Sequence, residues 1–190
     1  MKMYILSLAF VVAALSFSAK AEAALTGDTI NWQYYFGGEA FNSGGSPGSF
    51  LAGSTTSTFS GDSSPASPIF TISANDSQII FDFLDTGDWL PSPVSYDVEG
   101  LFIRNGILLT DDANPFANVT IDASTNMAGF SISNVTFNSS QLAINWAGLL
   151  YTPDTNVVLN VSSAVPEPSS LLLLASGLVG LVVWRRKKSA

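Results

Sequence analysis

Across residues 24–164 apolar side chains recur at every second position, and no stretch sustains a helical period. Ile30, Trp32, Tyr34 and Phe36 alternate with polar neighbours, as do Ile79, Phe81 and Phe83, then Val94, Tyr96 and Val98. Leu142, Ile144 and Trp146 keep the same rule, and so do Val157, Leu159 and Val161. Successive strand residues point to opposite faces of a sheet, so each such segment has one face to cover and one face to wet. The pattern confines this region to antiparallel sheets packed through their apolar faces. Phe130 and Ile132 fall out of phase with Val135 and Phe137, a slip that a bulge near Asn134 would explain.

Turn chemistry divides the region further. Asn105-Gly106 lies between two apolar runs, residues 101–104 and 107–110, and predicts a type I′ hairpin turn, which needs positive φ at both central residues. Asn138-Ser139-Ser140 predicts the link between strands on either side of it. Clusters of Gly, Pro, Ser and Asn at 42–48, 61–68 and 90–93 punctuate the rest. Nine or ten short strands are expected. About 140 residues can bury enough apolar surface to stand without disulfides. The expected fold is all-β: a single antiparallel β-sandwich, with a jelly roll or barrel as the alternative closure.

Charge and composition exclude several functions. Between residues 24 and 164 one basic residue, Arg104, faces thirteen acidic ones. Such a surface repels phosphate backbones, so nucleic acid is not an expected partner. The chain has no Cys and no His. Disulfides, thiolate sites and Ser-His-Asp or Cys-His catalysis are thereby removed. An enzyme here would have to use carboxylates, Tyr or a bound metal.

Each candidate for such chemistry has a plainer reading. Asp85-Thr86-Gly87 has the local look of an aspartic-protease loop, but that mechanism needs two carboxylates sharing a proton and one such triplet is present. Asp82, Asp85 and Asp88 gather near one predicted strand end, and Asp111-Asp112 close another. Oxygen-rich loops bind calcium, yet this spacing matches no EF-hand. Solvated turn acids without a cofactor are the expectation, with calcium as the alternative. Glu39 and Glu99 are the Glu residues of the region, and a glycosidase pair would have to draw on such carboxylates. Trp32 and Trp146 sit on alternating apolar faces and are expected in the core. Trp89, beside Asp88 and ahead of Leu90-Pro91, is the loop aromatic best placed to stack on a sugar, with Tyr34, Tyr35 and Tyr151 as further amphipathic rings.

The two ends differ in kind from the middle and help to explain a mean hydropathy of +0.33. Met1-Lys2-Met3 precedes an apolar run over residues 4–17, then Ser18-Ala19-Lys20-Ala21-Glu22-Ala23. A positive start, a short apolar helix and an A-x-A site define a secretory signal peptide over 1–23, with Ala21 and Ala23 at the cleavage site. Secretion translocon and signal peptidase are the implied partners. At the other end, Val165-Pro166-Glu167-Pro168 leads into an expected transmembrane helix over about 169–184, then Arg185-Arg186-Lys187-Lys188. Four cations stop translocation and stay cytoplasmic under the positive-inside rule. The 24–164 domain then lies across the membrane from the cytoplasm.

The ordered triple of Val165-Pro166-Glu167-Pro168, apolar run and basic end resembles the PEP-CTERM sorting signal of Gram-negative bacteria. It covers residues 165–190, the motif at 165–168 and the basic end at 185–188. The resemblance implies a processing partner, exosortase, for which Pro166, Glu167 and Pro168 are substrate residues. It implies an inner-membrane-anchored precursor, then the cell surface or an exopolysaccharide matrix. A non-enzymatic surface or matrix protein with a structural or glycan-contacting role, exopolysaccharide being the partner of the second, is the leading expectation. The alternatives are a carboxylate-dependent glycan-active enzyme on the same tail, and a membrane-tethered binding domain that is never processed.

Overall fold

Alternating burial, the pattern anticipated from the sequence, organises nearly every long strand. The structure, a computed structural model, describes residues 24–61, 66–113 and 116–163. The expected signal helix with Ala21 and Ala23, and the expected sorting motif, transmembrane helix and basic end, lie outside these residues. Among the described residues no helix is long and apolar enough to cross a membrane.

The chain is all-β. Its strands are β1 (Thr29–Phe36), β2 (Glu39–Phe41), β3 (Gly48–Leu51), β4 (Ser57–Ser60), β5 (Pro68–Ala74), β6 (Gln78–Phe83), β7 (Gly87–Asp88), β8 (Tyr96–Val98), β9 (Leu101–Ile103) and β10 (Asn105–Thr110). They continue as β11 (Phe116–Ile121), β12 (Val135–Phe137), β13 (Gln141–Asn145), β14 (Leu150–Tyr151) and β15 (Asn156–Ser163). All pairings are antiparallel. One sheet runs β11-β15-β6-β5-β4. The other runs β12-β13-β10-β1, and the free edge of β1 is shared, β3 pairing with its first half and β2 with its last residues. Two short ladders, β7 with β14 and β8 with β9, complete the set.

Both larger sheets bury side chains in one apolar cluster. Ile30, Trp32 and Tyr34 of β1, Ile107 and Leu109 of β10, and Leu142 and Ile144 of β13 come from one sheet. Phe70 and Ile72 of β5, Ile79, Phe81 and Phe83 of β6, and Val157, Leu159 and Val161 of β15 come from the other. Full burial of each such side chain is worth about 1.5–3 kcal/mol, which holds the layers together in a chain that has no disulfide. The expected alternation fails at positions where the strand ends or the neighbour is missing. Phe36, Val94 and Val98 are 42 %, 55 % and 46 % exposed.

The Asn105-Gly106 turn is not formed. Both residues lie inside β10, where Gly106 pairs opposite Asn145. The positive-φ pair is instead Glu99 (φ 56°) and Gly100 (φ 82°), which reverse the chain between Val98 and Leu101. Gly106 is required for close approach rather than for a turn: a β-carbon there would lie 1.9 Å from the carbonyl oxygen of Ile144. The β8–β9 hairpin lies over the outward face of β10 and β13, where Leu101 and Ile103 pack with Leu108 and Ala143 against Tyr35 and Tyr96. This second layer is why the run Ile107-Leu108-Leu109 is buried on both faces.

Two further expectations resolve differently. The phase slip after Phe130 is a 3-10 turn, Ile132–Asn134, closed by Ser131 and Asn134 in a capping box, not a bulge. Ile132 is left 55 % exposed by it. The Asn138 link does join β12 to β13: its Oδ1 accepts the backbone N–H groups of Ser140 and Gln141. Gly106→Ala is expected to lower stability by about 1–3 kcal/mol through the forced backbone shift. A fall in the urea midpoint at unchanged slope checks it, and an unchanged midpoint would contradict the β10–β13 register.

Candidate functional site

One cleft stands out among the described residues, where the end of β1 meets the start of β10 and the end of β4 meets the start of β5. It has a volume of about 250 Å³ and is lined by Tyr34, Phe36, Phe41, Phe59, Gly61, Ile69, Asp88, Trp89, Leu90, Asn105 and Tyr151. The two-residue ladder of β7 and β14 builds one wall, with Tyr151 opposite Gly87 and Leu150 opposite Asp88. Trp89 extends that ladder: its N–H donates to the Leu149 carbonyl at 2.9 Å, and its carbonyl accepts from the Gly148 N–H at 2.6 Å.

Trp89 is therefore not an exposed loop aromatic. It is 4 % exposed, as closed to solvent as the expected core residues Trp32 and Trp146 at 2 % and 0 %. Phe59 and Trp146 stack on it, and Tyr34, Phe70 and Tyr151 tilt against it. The local sequence, an acid before and Leu-Pro after, gives no sign of the rings that fold over it from other strands. Its indole N–H has no hydrogen-bond partner among the described residues.

Polar groups are few and specifically tied. The Tyr34 hydroxyl donates to Asn105 Oδ1, and Asn105 Nδ2 donates to the Leu90 carbonyl at 2.9 Å. Asn105 thus pins the loop after Trp89 to β1. Burial first, and then the charge of Tyr151, push the Tyr34 phenol well above the ordinary tyrosine range. Burial, and then the carboxylates of Asp85 and Asp88, push Tyr151 upward as well. Asp88 itself is exposed at the cleft wall.

The predicted acids are only partly brought together. The charges of Asp85 and Asp88 both act on Tyr151, and Asp85 Oδ1 accepts the Thr86 N–H at 2.7 Å, an ordinary turn contact. Asp82 lies on β6 opposite Thr71 and Asn156. Asp111 and Asp112 follow the far end of β10, and Asp111 Oδ1 accepts the Ala113 N–H at 2.9 Å. No three Asp or Glu side chains converge as metal ligands among the described residues. Glu39 is on β2 and Glu99 in the β8–β9 turn. Tyr35 is not part of the cleft; its ring lies 4.4 Å from that of Tyr96 under the hairpin.

Sequence reading missed Asn105 and Phe59 as site residues, because an Asn-Gly pair reads as a turn and a lone Phe in a Ser/Thr run carries no signal. It also missed Asp122, held low by the N–H and then the hydroxyl of Ser124, and by Asn160. Those bonds close the loop after β11.

The Tyr34 shift has a definite sign. A phenol raised by folding adds stability below the unfolded tyrosine pKa of about 10 and loses it as pH rises toward the folded value. The thermal midpoint is expected to stay flat to about pH 9.5 and fall above about pH 10. Tyr34→Phe is expected to cost about 1–3 kcal/mol at neutral pH by stranding the Asn105 acceptor and to make the alkaline fall shallower. Thermal melts across pH 7–11 check both.

Residues 164–187 match the PEP-CTERM protein-sorting motif. The match takes in Pro166, Glu167 and Pro168, the apolar run, and Arg185, Arg186 and Lys187. The motif implies export by way of a membrane-anchored precursor and processing by exosortase. No curated protein and no solved structure matches the chain.

Proposed function

We propose, starting from the fact that this chain is a PEP-CTERM sorting-domain protein, that it is a non-enzymatic component of the cell surface or exopolysaccharide matrix of a Gram-negative bacterium. The carrying observation is the motif match at 164–187 behind an all-β domain. The two larger sheets are the layers of a β-sandwich, a reading supported by the single apolar cluster to which both contribute. The domain's role is structural or glycan-contacting, and most of its acids serve as a solvated surface.

The physical steps of delivery follow from the tail. As a helix, a sixteen-residue run such as 169–184 would span about 24 Å, short of a hydrocarbon core of about 30 Å. Snorkelling of four terminal cations and local thinning of the bilayer would close such a gap. A proline restricts its own φ and disfavours the helical region for the residue before it, so a Pro-Glu-Pro sequence suits recognition as an extended stub. Exosortase cuts near this stub and releases the domain from its anchor. Signal peptidase removes 1–23 by cutting after Ala23, the second of two A-x-A sites.

Replacing Pro166, Glu167 and Pro168 together by alanine is expected to leave an uncut C-terminus in the inner-membrane fraction and to abolish surface delivery. Mass spectrometry of the C-terminal peptide and cell fractionation read both. Normal processing and delivery of that variant would end the exosortase reading.

A further inference from the structure

The aromatic cleft holds groups that the core does not need. Tyr34, Phe59 and Trp89 are its buried members, whereas Phe36 and Leu90 are 42 % and 57 % exposed beside them. Tyr151 is only 8 % exposed, and its hydroxyl makes no hydrogen bond to any described residue. The hydroxyl itself is not sealed from solvent, so it is open to a partner from outside, which would replace water there. The Asp88 carboxylate lines the same cavity. Among the described residues no cation answers it: Arg104, the single basic residue of 24–164, lies over the Phe102 ring at 5.3 Å.

We propose that this cleft binds one ring of a glycan, a hexose without negative charge, through the Tyr151 hydroxyl, the Asp88 carboxylate and the aromatic wall. The proposal names the ligand behind the glycan-contacting role above and rests on that role, not on delivery by exosortase. A pyranose presents an apolar C–H face and a rim of hydroxyls that donate and accept. The faces of Trp89 are covered by Phe59 and Trp146, so the exposed Phe36 ring is the aromatic surface that can attract the C–H face. An ionised carboxylate accepts hydroxyl donors through two oxygens, and a phenol both gives and receives. A volume of about 250 Å³ is near the small end of ligand pockets and admits a ring rather than a chain segment. A uronate would bring a second anion beside Asp88 and Asp85, whereas an amino sugar brings the opposite charge. The cleft therefore ranks glucosamine units above neutral hexoses and neutral hexoses above uronates.

The test is titration of the full-length protein with oligomers of a neutral hexose, of glucosamine and of a uronic acid, followed by tryptophan fluorescence because Trp89 lines the cleft. Saturable binding of the first two, tighter for glucosamine at low salt, and none of the uronate is expected. Tyr151→Phe keeps the ring and should weaken both by roughly three- to tenfold. Asp88→Asn, at an exposed position, should abolish the preference for glucosamine while near-ultraviolet circular dichroism stays unchanged. Saturation by no oligomer at millimolar concentration, equal affinity for the uronate, or parental affinities in both variants would overturn the proposal. Saturable binding of choline without any sugar binding would reassign the cleft to organic cations and overturn it too. None of these results bears on the fate of the C-terminal tail, which the alanine replacement reads separately.

Discussion

Trp89 lies at the join of the two larger sheets, and the rest of the domain depends on the rings that close over it. Tyr34 reaches it from one sheet, Phe59, Phe70 and Phe83 from the other, and Trp146 and Tyr151 from the segments after β13. Ring pairs of this kind contribute about 0.5–1.5 kcal/mol each beyond area burial. With no Cys in the chain, no covalent link shares that work. The same convergence leaves the cleft, because bulky rings meeting from several strands fill the centre and leave their outer edges uncovered.

A second constraint is the two-sided burial of β10. Its inward residues, Ile107 and Leu109, enter the shared core, while Leu108 faces the opposite way and is covered by Leu101 and Ile103. The β8–β9 hairpin thereby converts what would be a wetted sheet face into an inner layer. Asn105 at the start of the same strand holds Tyr34 and the Leu90 loop together. One strand thus connects the main core, the outer layer and the cleft.

Much of the fold was legible from local pattern. The alternation at Ile79, Phe81 and Phe83, at Leu142, Ile144 and Trp146, and at Val157, Leu159 and Val161 corresponds to residues that are wholly or nearly buried. The errors share a cause. Asn105-Gly106 carries a strong turn signal, yet the ladder bonds of β10 with β1 and β13 outweigh it, and the turn forms at Glu99-Gly100. Trp89 looks exposed from its neighbours because the rings that bury it lie far away in sequence. Of the cleft, the sequence suggested Tyr34, Tyr151, Asp88 and Trp89 as separate candidates, but nothing in their spacing joins them.

The sequence by itself determined the all-β class and the sorting motif at the C-terminus. Period-two alternation and an ordered motif, apolar run and basic end are local, and a local signal survives without knowledge of contacts. Tertiary structure alone decided that the β8–β9 hairpin covers β10, that Trp89 belongs to the core, and that Tyr34, Asp88, Asn105 and Tyr151 share one cavity. Those outcomes depend on which strands become neighbours, and strand order is set by the summed burial of many residues distant in the chain rather than by any one segment.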